Sequence, residues 1–313
     1  MGLADKNLID DTVNHWRRPS DIYESFTLID RMNHNHLVRG KLADNSFYSV
    51  VVCLTLANQS LLERLFFNQN AVSPQGIYRL RLCKNGEWQS VTIDDLLPCE
   101  PLAKPKFASS SANEIWINLL QKAYAKLHKQ YLNLHELEVS NVFNDHTGCP
   151  TYIEELSHPD FRKSVAEHLK NRHIVAFYDV EEKEFDEDEF IPLKNYAYPL
   201  LAIEEDEGKP YFKLLSHSHE KIELSEEELL KKFRYLCVCY AKNWEEVRIK
   251  GKFITAEAGG EGEASYPISM SRWYYSMDLP QASEVHICLH QEDVLIGNNQ
   301  LFKPYAYCSL LLL

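Results

Sequence analysis

From Asn45 to Phe67 the chain reads NSFYSVVVCLTLANQSLLERLFF, with apolar side chains on nearly every helical turn and charges (Glu63, Arg64) only near the end. A helix this apolar has no solvent face to offer, so it must lie inside a domain with other elements on several sides. A chain of 313 residues is long enough to supply that cover in two or three compact units.

The covering elements can be read in order. Gly76–Cys83 and Trp88–Ile93 alternate apolar with polar and are joined through Asn85-Gly86, which predicts a hairpin because both turn residues tolerate positive φ. Asn113–Tyr131 carries Ile115, Leu119, Ala123 and Leu127 at helical spacing, with Asn113 as cap. Strands are predicted over Arg172–Asp179, Tyr196–Glu204, Lys209–Leu215 and Tyr235–Tyr240. A helix over Leu224–Phe233 opens on the capping box Ser225/Glu228. Beyond Trp244 short β-prone segments alternate with Gly- and Pro-bearing turns, the texture of a β-sandwich. The tetraleucine Leu310–Leu313 predicts apolar contact, within the fold or with a partner.

Charge and cysteine usage narrow the function classes. The net charge of -13 repels nucleic acid and favours basic protein surfaces or cations. Nothing approaches the roughly 18 apolar residues of a membrane span, and the first residues carry neither a secretory core nor a myristoylation pattern. The eight cysteines sit mostly inside apolar runs, as buried thiols of a reduced compartment do. Cys53 reads as a small hydrophobe and Ser46 as a cap or core hydroxyl. His217-x-His219 lacks a third defined metal ligand.

Several segments together resemble the calpain family. Trp16–Ile22 resembles the family's W-x-R-P-x-E-I entry, and Gly76-Ile77-Tyr78, Asn85–Trp88 and Val91–Pro98 resemble its hairpin. Glu114-Ile115-Trp116 with Leu119–Leu127 resembles its E-F-W…L-L-E-K-A-Y-A-K-L helix nearly residue for residue. Thr255–Gly260 and Leu289–Asp293 resemble parts of its β-sandwich. The resemblance implies an α+β fold: a papain-like two-lobed protease core followed by a short or partial C2-like all-β sandwich. It divides the chain into 1–144 (mainly helical lobe), 145–240 (β-rich lobe) and 241–313 (sandwich).

The family's chemistry is a Cys-His-Asn triad, with thiolate attack, imidazole proton transfer and an orienting amide. At the positions matching its motifs this chain has Asn45 for the cysteine, Tyr196 for the histidine, Ser216 for the asparagine and Arg39 for the oxyanion donor. A carboxamide forms no thioester, and a phenol of pKa about 10 is a poor base at neutral pH. These are vestigial positions on the resemblance, which implies no enzymatic activity and a pseudoprotease serving as a structural or protein-binding subunit. Cytoplasmic placement, in the cytoskeleton or cilium axoneme, is implied likewise. The glycine-free stretch Asn133–Phe143 implies a filled or reshaped cleft. Arg39, charged where a neutral donor belongs, is expected to pair with a carboxylate. No cofactor is implied except calcium, for which Glu184, Asp186 and Asp188 are candidates within the acidic run 179–189. The bland reading of that run is a solvated face or a contact for a basic protein surface. A calcium-responsive binding module and a residual cysteine peptidase are the alternatives to the scaffold.

Overall fold

The computed structural model describes residues 15–68, 71–135, 137–179, 190–242, 244–250 and 276–291, with two short strands beyond. Two units separate by their contacts, Met1–Lys242 with Leu289–Leu313, and Asn243–Cys288.

The larger unit begins with strands β1 (His15–Arg17) and β2 (Leu37–Val38), then helices α1 (Asn45–Ala57) and α2 (Ser60–Glu63). Strands β3 (Ile77–Lys84), β4 (Glu87–Asp94), β5 (Leu97–Cys99) and β6 (Ser109–Ser110) follow. Helices α3 (Trp116–Leu127) and α4 (Val139–Thr147) lead to β7 (Thr151–Glu155), α5 (Phe161–Lys170), β8 (Ile174–Tyr178), β9 (Tyr198–Asp206), β10 (Lys209–Leu215) and β11 (Lys221–Ser225). Helix α6 (Glu226–Lys232) and β12 (Tyr235–Cys239) complete it. A two-residue pair, β13 (Leu295–Ile296) and β14 (Gln300–Leu301), stands near the end. The fold is a mixture of helices and sheets consistent with an α+β protease core.

Strands β7 to β12 form one antiparallel sheet in the order β11-β10-β9-β8-β12-β7. Helix α1 runs between this sheet and the earlier elements, touching α4, β8 and β9. That position explains its composition: Phe47, Val50, Val51, Val52, Cys53 and Leu54 are all buried. A fully buried Val or Leu side chain contributes roughly 1.5–3 kcal/mol, so the helix is held by packing rather than by propensity. Phe47 stacks on Tyr124 of α3 with ring centres 5.7 Å apart.

The β3–β4 hairpin turns through Asn85 (φ 52°) and Gly86 (φ 75°), the paired positive φ of a two-residue turn whose twist matches its strands. The capping box of α6 also forms, Glu228 N donating to Ser225 Oγ (3.3 Å) and Ser225 N to Glu228 Oε2 (2.8 Å). Ser225→Ala should cost about 1 kcal/mol in urea unfolding, because it frees one N–H of a helix too short to tolerate fraying.

Several boundaries differ from the sequence reading, three of them for a clear local reason. The apolar helix stops at Ala57 instead of continuing to Phe67, because Asn58 takes extended backbone and its Oδ1 caps Ser60 N (3.1 Å). Helix α3 starts at Trp116; Asn113 is left-handed (φ 56°) and lies outside it, since Glu114 is drawn into the core. Strand β9 starts at Tyr198, two residues late, since Asn195 also turns through positive φ (54°). Past residue 241, the described stretches 244–250 and 276–291 contain no strand. Thr255–Gly260, Leu310–Leu313 and the acidic residues Glu184, Asp186 and Asp188 lie outside the described residues.

Candidate functional site

Helix α1 begins beside the turn that leads into β9, and the two segments are fastened along one helical face. Asn45 Nδ2 donates to Lys194 O (2.7 Å), Ser46 Oγ lies 3.1 Å from Asn195 O, and Ala197 N donates to Ser49 Oγ (2.9 Å). Cys53 Sγ sits 3.8 Å from Ala197 O. Positions 45, 49 and 53 are successive turns of one face, and residues 194–197 lie against it. Ser46 Oγ also reaches Leu137 O in the glycine-free segment before α4.

Arg39 approaches the same helix end from β2. Its neighbour Gly40 passes so close to Phe107 that an added Cβ would meet backbone at 2.3 Å, so glycine is required there. The Arg39 guanidinium donates to Asn45 Oδ1. The expected ion pair is not formed: no carboxylate contacts Arg39 among the described residues. Asp44, the nearest acid in sequence, turns inward instead and accepts from Gln121 Nε2 (2.6 Å). Burial pushes the Asp44 carboxyl up to about 7, against the opposing pull of Gln121 and Arg39.

Tyr196 is fully buried, tilted against Tyr198 (4.7 Å between ring centres) and Tyr48 (6.5 Å), with His217 edge-on at 6.3 Å. Burial drives its phenol far above the ordinary range, and its hydroxyl has no hydrogen-bond partner among the described residues. Ser216 is buried but turned into its own tight turn, its Oγ 2.9 Å from Ser218 Oγ and accepting from Glu220 N (3.1 Å). Arg39, Asn45 and Tyr196 therefore come together around the start of α1, while Ser216 serves the adjoining turn.

That turn carries a feature the sequence reading missed. Tyr48 donates its hydroxyl to Leu37 O (3.0 Å), so the contact with His219 Nε2 (3.2 Å) is made by the imidazole N–H donating to the phenol oxygen. His219 stacks on Tyr48, and His34 lies edge-on to it at 5.9 Å. All three imidazoles are lowered, first by burial; Arg39 adds to this at His217, and His34 and His217 add to it at His219. Only the H-x-H spacing signalled this cluster, and spacing alone cannot name a partner 171 residues away in the chain. No grouping of three or more His, Cys, Asp or Glu suited to a metal occurs among the described residues.

The thiols differ sharply. Cys53 is buried and its thiol is pushed up. Cys149, also buried, is pulled down, chiefly by the Cys239 thiol and also by Thr147 and Arg64. Its Sγ lies 3.7 Å from Thr147 O.

Comparison with known proteins gives a family-level answer. Residues 4–223 match the calpain family cysteine protease model. A calpain-type cysteine protease of Oryza sativa subsp. japonica is 36% identical over 148 residues, covering 44% of this chain and 6% of the relative. A calpain-type cysteine protease of Zea mays is 37% identical over 144 residues, again 44% and 6%. The calpain-1 catalytic subunit of Sus scrofa is 34% identical over 146 residues, covering 45% of this chain and 20% of the relative. The chain thus spans a small part of the length of each.

These matches correct one expectation. The absence of enzymatic activity, inferred from Arg39, Asn45, Tyr196 and Ser216, is overturned by similarity to proteins named cysteine proteases and by the thiols present. The inference failed in its logic as well. Motif matching assigns roles only at aligned positions, whereas the acidity of a thiol depends on its surroundings, which pull that of Cys149 down.

Proposed function

Because the chain belongs to the calpain family of cysteine proteases, we propose that it works through protein binding, as a structural subunit of an intracellular assembly of cytoskeletal or ciliary type. Residues 1–144 and 145–240 act in this reading as the two lobes, and 241–313 as a C2-like sandwich. The observation that carries it is the fastening of Lys194–Ala197 along α1. Direct hydrogen bonds across the start of the helix favour fixed surfaces suited to holding a partner. The acidic run 179–189 would face a basic surface and Leu310–Leu313 an apolar one. No described helix is long and apolar enough to cross a membrane.

The test is native co-fractionation of the intact chain from cells, beside a chain lacking Leu310–Leu313. A complex of fixed stoichiometry, weakened by the deletion, is expected. Elution of the intact chain as a lone monomer would end the reading, and a calcium-dependent rise in melting temperature would favour the calcium-responsive module.

A second reading, a cysteine peptidase, is favoured by the 36% and 37% identities to proteins of that name. It predicts that a thiol-directed peptide electrophile labels one cysteine, and that the alanine variant of that cysteine abolishes the labelling. Labelling spread over several cysteines, or none, counts against it.

A further inference from the structure

The outward face of the β3–β4 hairpin gathers three arginines and two aromatic rings. Arg79 and Arg81 alternate along β3, so both side chains stand on one face, across from Thr92 and Ser90 of β4. The segment leaving α2 lies beside them, Arg81 N donating to Leu65 O (2.7 Å) and Phe67 N to Arg79 O (3.1 Å). Backbone pairing therefore sets Arg64 and Phe67 next to the same face. The Arg79 guanidinium lies over the Phe67 ring at 4.6 Å, and Arg81 (4.5 Å) and Arg64 (5.8 Å) both lie over Trp88.

All three arginines are exposed, and Phe67 keeps 55% of its surface in water. Their hydrogen bonds go to neutral oxygens, Arg79 Nη2 to Ser90 Oγ (3.1 Å) and Arg64 to Thr147 O. None of the three meets a carboxylate among the described residues. The acids at the end of β4 are engaged elsewhere, Asp94 with Lys122 (2.6 Å) and Asp95 with Arg18 (2.5 Å). Acids outnumber bases 46 to 33 along the chain, so a cluster of arginines that meets none of them departs from the surface at large. Stacking on an aromatic face also fixes the plane of a guanidinium while its N–H edges stay able to donate. Such a patch is set for an anion before any partner arrives, which lowers the ordering cost of binding.

We propose that this face docks an extended acidic segment of a partner protein, with carboxylates at alternate positions for Arg79 and Arg81 and an apolar side chain for Phe67. This names a partner surface for the protein-binding reading and rests on it. The spacing carries the match: residues two apart in extended chain are roughly 6.6 Å apart and point the same way, on β3 and on the partner alike. Each arginine offers a fork from which a carboxylate accepts two bonds, and Phe67 supplies the apolar contact that interfaces rich in Arg and aromatic side chains use. A longer polyanion suits the face less. The net charge of -13 repels a nucleic acid or an anionic bilayer over an area much wider than three arginines. A short segment brings only a few charges, and those meet the arginines directly.

The experiment uses the full chain and a fluorescein-labelled peptide that alternates glutamate with glycine and ends in phenylalanine, with its glutamine counterpart as control, read by fluorescence anisotropy. At low salt the glutamate peptide should bind about 10-fold tighter than the glutamine peptide, the scale of one charge-assisted contact, and the preference should shrink as salt rises. The double variant Arg79→Gln/Arg81→Gln leaves the buried face of the hairpin intact and should abolish the preference. Arg162→Gln, at an exposed arginine of α5, should leave it unchanged, and Phe67→Ala should weaken both peptides. Equal binding of the two peptides by the wild type overturns the proposal without recourse to any variant. An equal loss of preference in Arg162→Gln overturns it too, since the effect would then be one of overall charge. Tighter binding of a single-stranded DNA oligonucleotide or of phosphatidylserine vesicles, lost in the double variant, overturns it in favour of a polyanion. Co-fractionation with a partner that survives the double variant would leave the protein-binding reading standing while this inference fails.

Discussion

Asp44→Asn should stabilise the protein by about 4 kcal/mol at pH 8 and by only about 1–2 kcal/mol at pH 5. The carboxyl ionises near 7 in the folded protein against an ordinary 3.8, with burial as the main cause. Its folded pKa is raised, so the contribution is favourable below 3.8 and is lost as pH rises through 7. Asparagine carries no charge to desolvate and keeps an acceptor for Gln121 Nε2, which now lies 2.6 Å from the carboxylate. His146 acts in the opposite sense. It is fully buried against Phe47 and Tyr124, and burial holds its imidazole at about 4 against an ordinary 6.5. A depressed imidazole gives stability that is full above 6.5 and lost as pH falls toward 4, roughly 3 kcal/mol in all. Between about 4 and 6.5 the two slopes oppose and nearly cancel, so the wild type should vary little there, whereas the variant, left with His146 alone, should gain stability as pH rises. Urea unfolding at pH 5, 6, 7 and 8 reads both limbs. A variant less stable than wild type at pH 8 would contradict the assignment.

What the sequence revealed, and what it hid, follows from the range of each interaction. The Asn85-Gly86 turn and the Ser225/Glu228 cap are local, so the residues that make them are adjacent and readable. The burial of α1 was readable because its composition leaves no polar face. The fastening of α1 to Lys194–Ala197 was hidden, since it joins side chains to backbone groups roughly 150 residues away, and backbone donors carry no residue code. Ser49 looked like one more small residue in an apolar helix, yet it satisfies Ala197 N. Arg39 demanded a partner on charge grounds, and an acid five residues on was a reasonable guess. The fold spends Asp44 on Gln121 and leaves Arg39 an amide. The motif-level exclusion of enzymatic activity misled for a related reason: it read positions one at a time, while the acidity of Cys149 is set by Cys239, Thr147 and Arg64 from other elements.

Glu114→Ala should destabilise the protein by about 2–4 kcal/mol, and Glu114→Gln by about half of that or less. Glu114 is buried; its Oε1 accepts from Asp30 N and Arg31 N, each at 2.8 Å, and its Oε2 from Ser110 Oγ at 3.3 Å. Alanine removes both acceptor oxygens and with them all three bonds. The two backbone donors lie on exposed residues that water can reach after the deletion, which keeps the cost near the middle of the range for charge-assisted bonds. Glutamine retains an oxygen for the two N–H groups, and Ser110 can turn its hydroxyl to accept from the new amide. The segment held this way also pairs by backbone with the start of α3, through Ile115 N to Thr27 O (3.0 Å) and Trp116 N to Leu28 O (3.1 Å). It runs directly into His34 and β2, the approach to Arg39. Loss of Glu114 should therefore loosen the approach to β2 as well as lower the overall stability. If Glu114→Ala unfolds in urea within about 0.5 kcal/mol of wild type, the carboxylate is not what anchors this segment. A variant of unchanged stability would mean that β2 is positioned by its own pairing with β6.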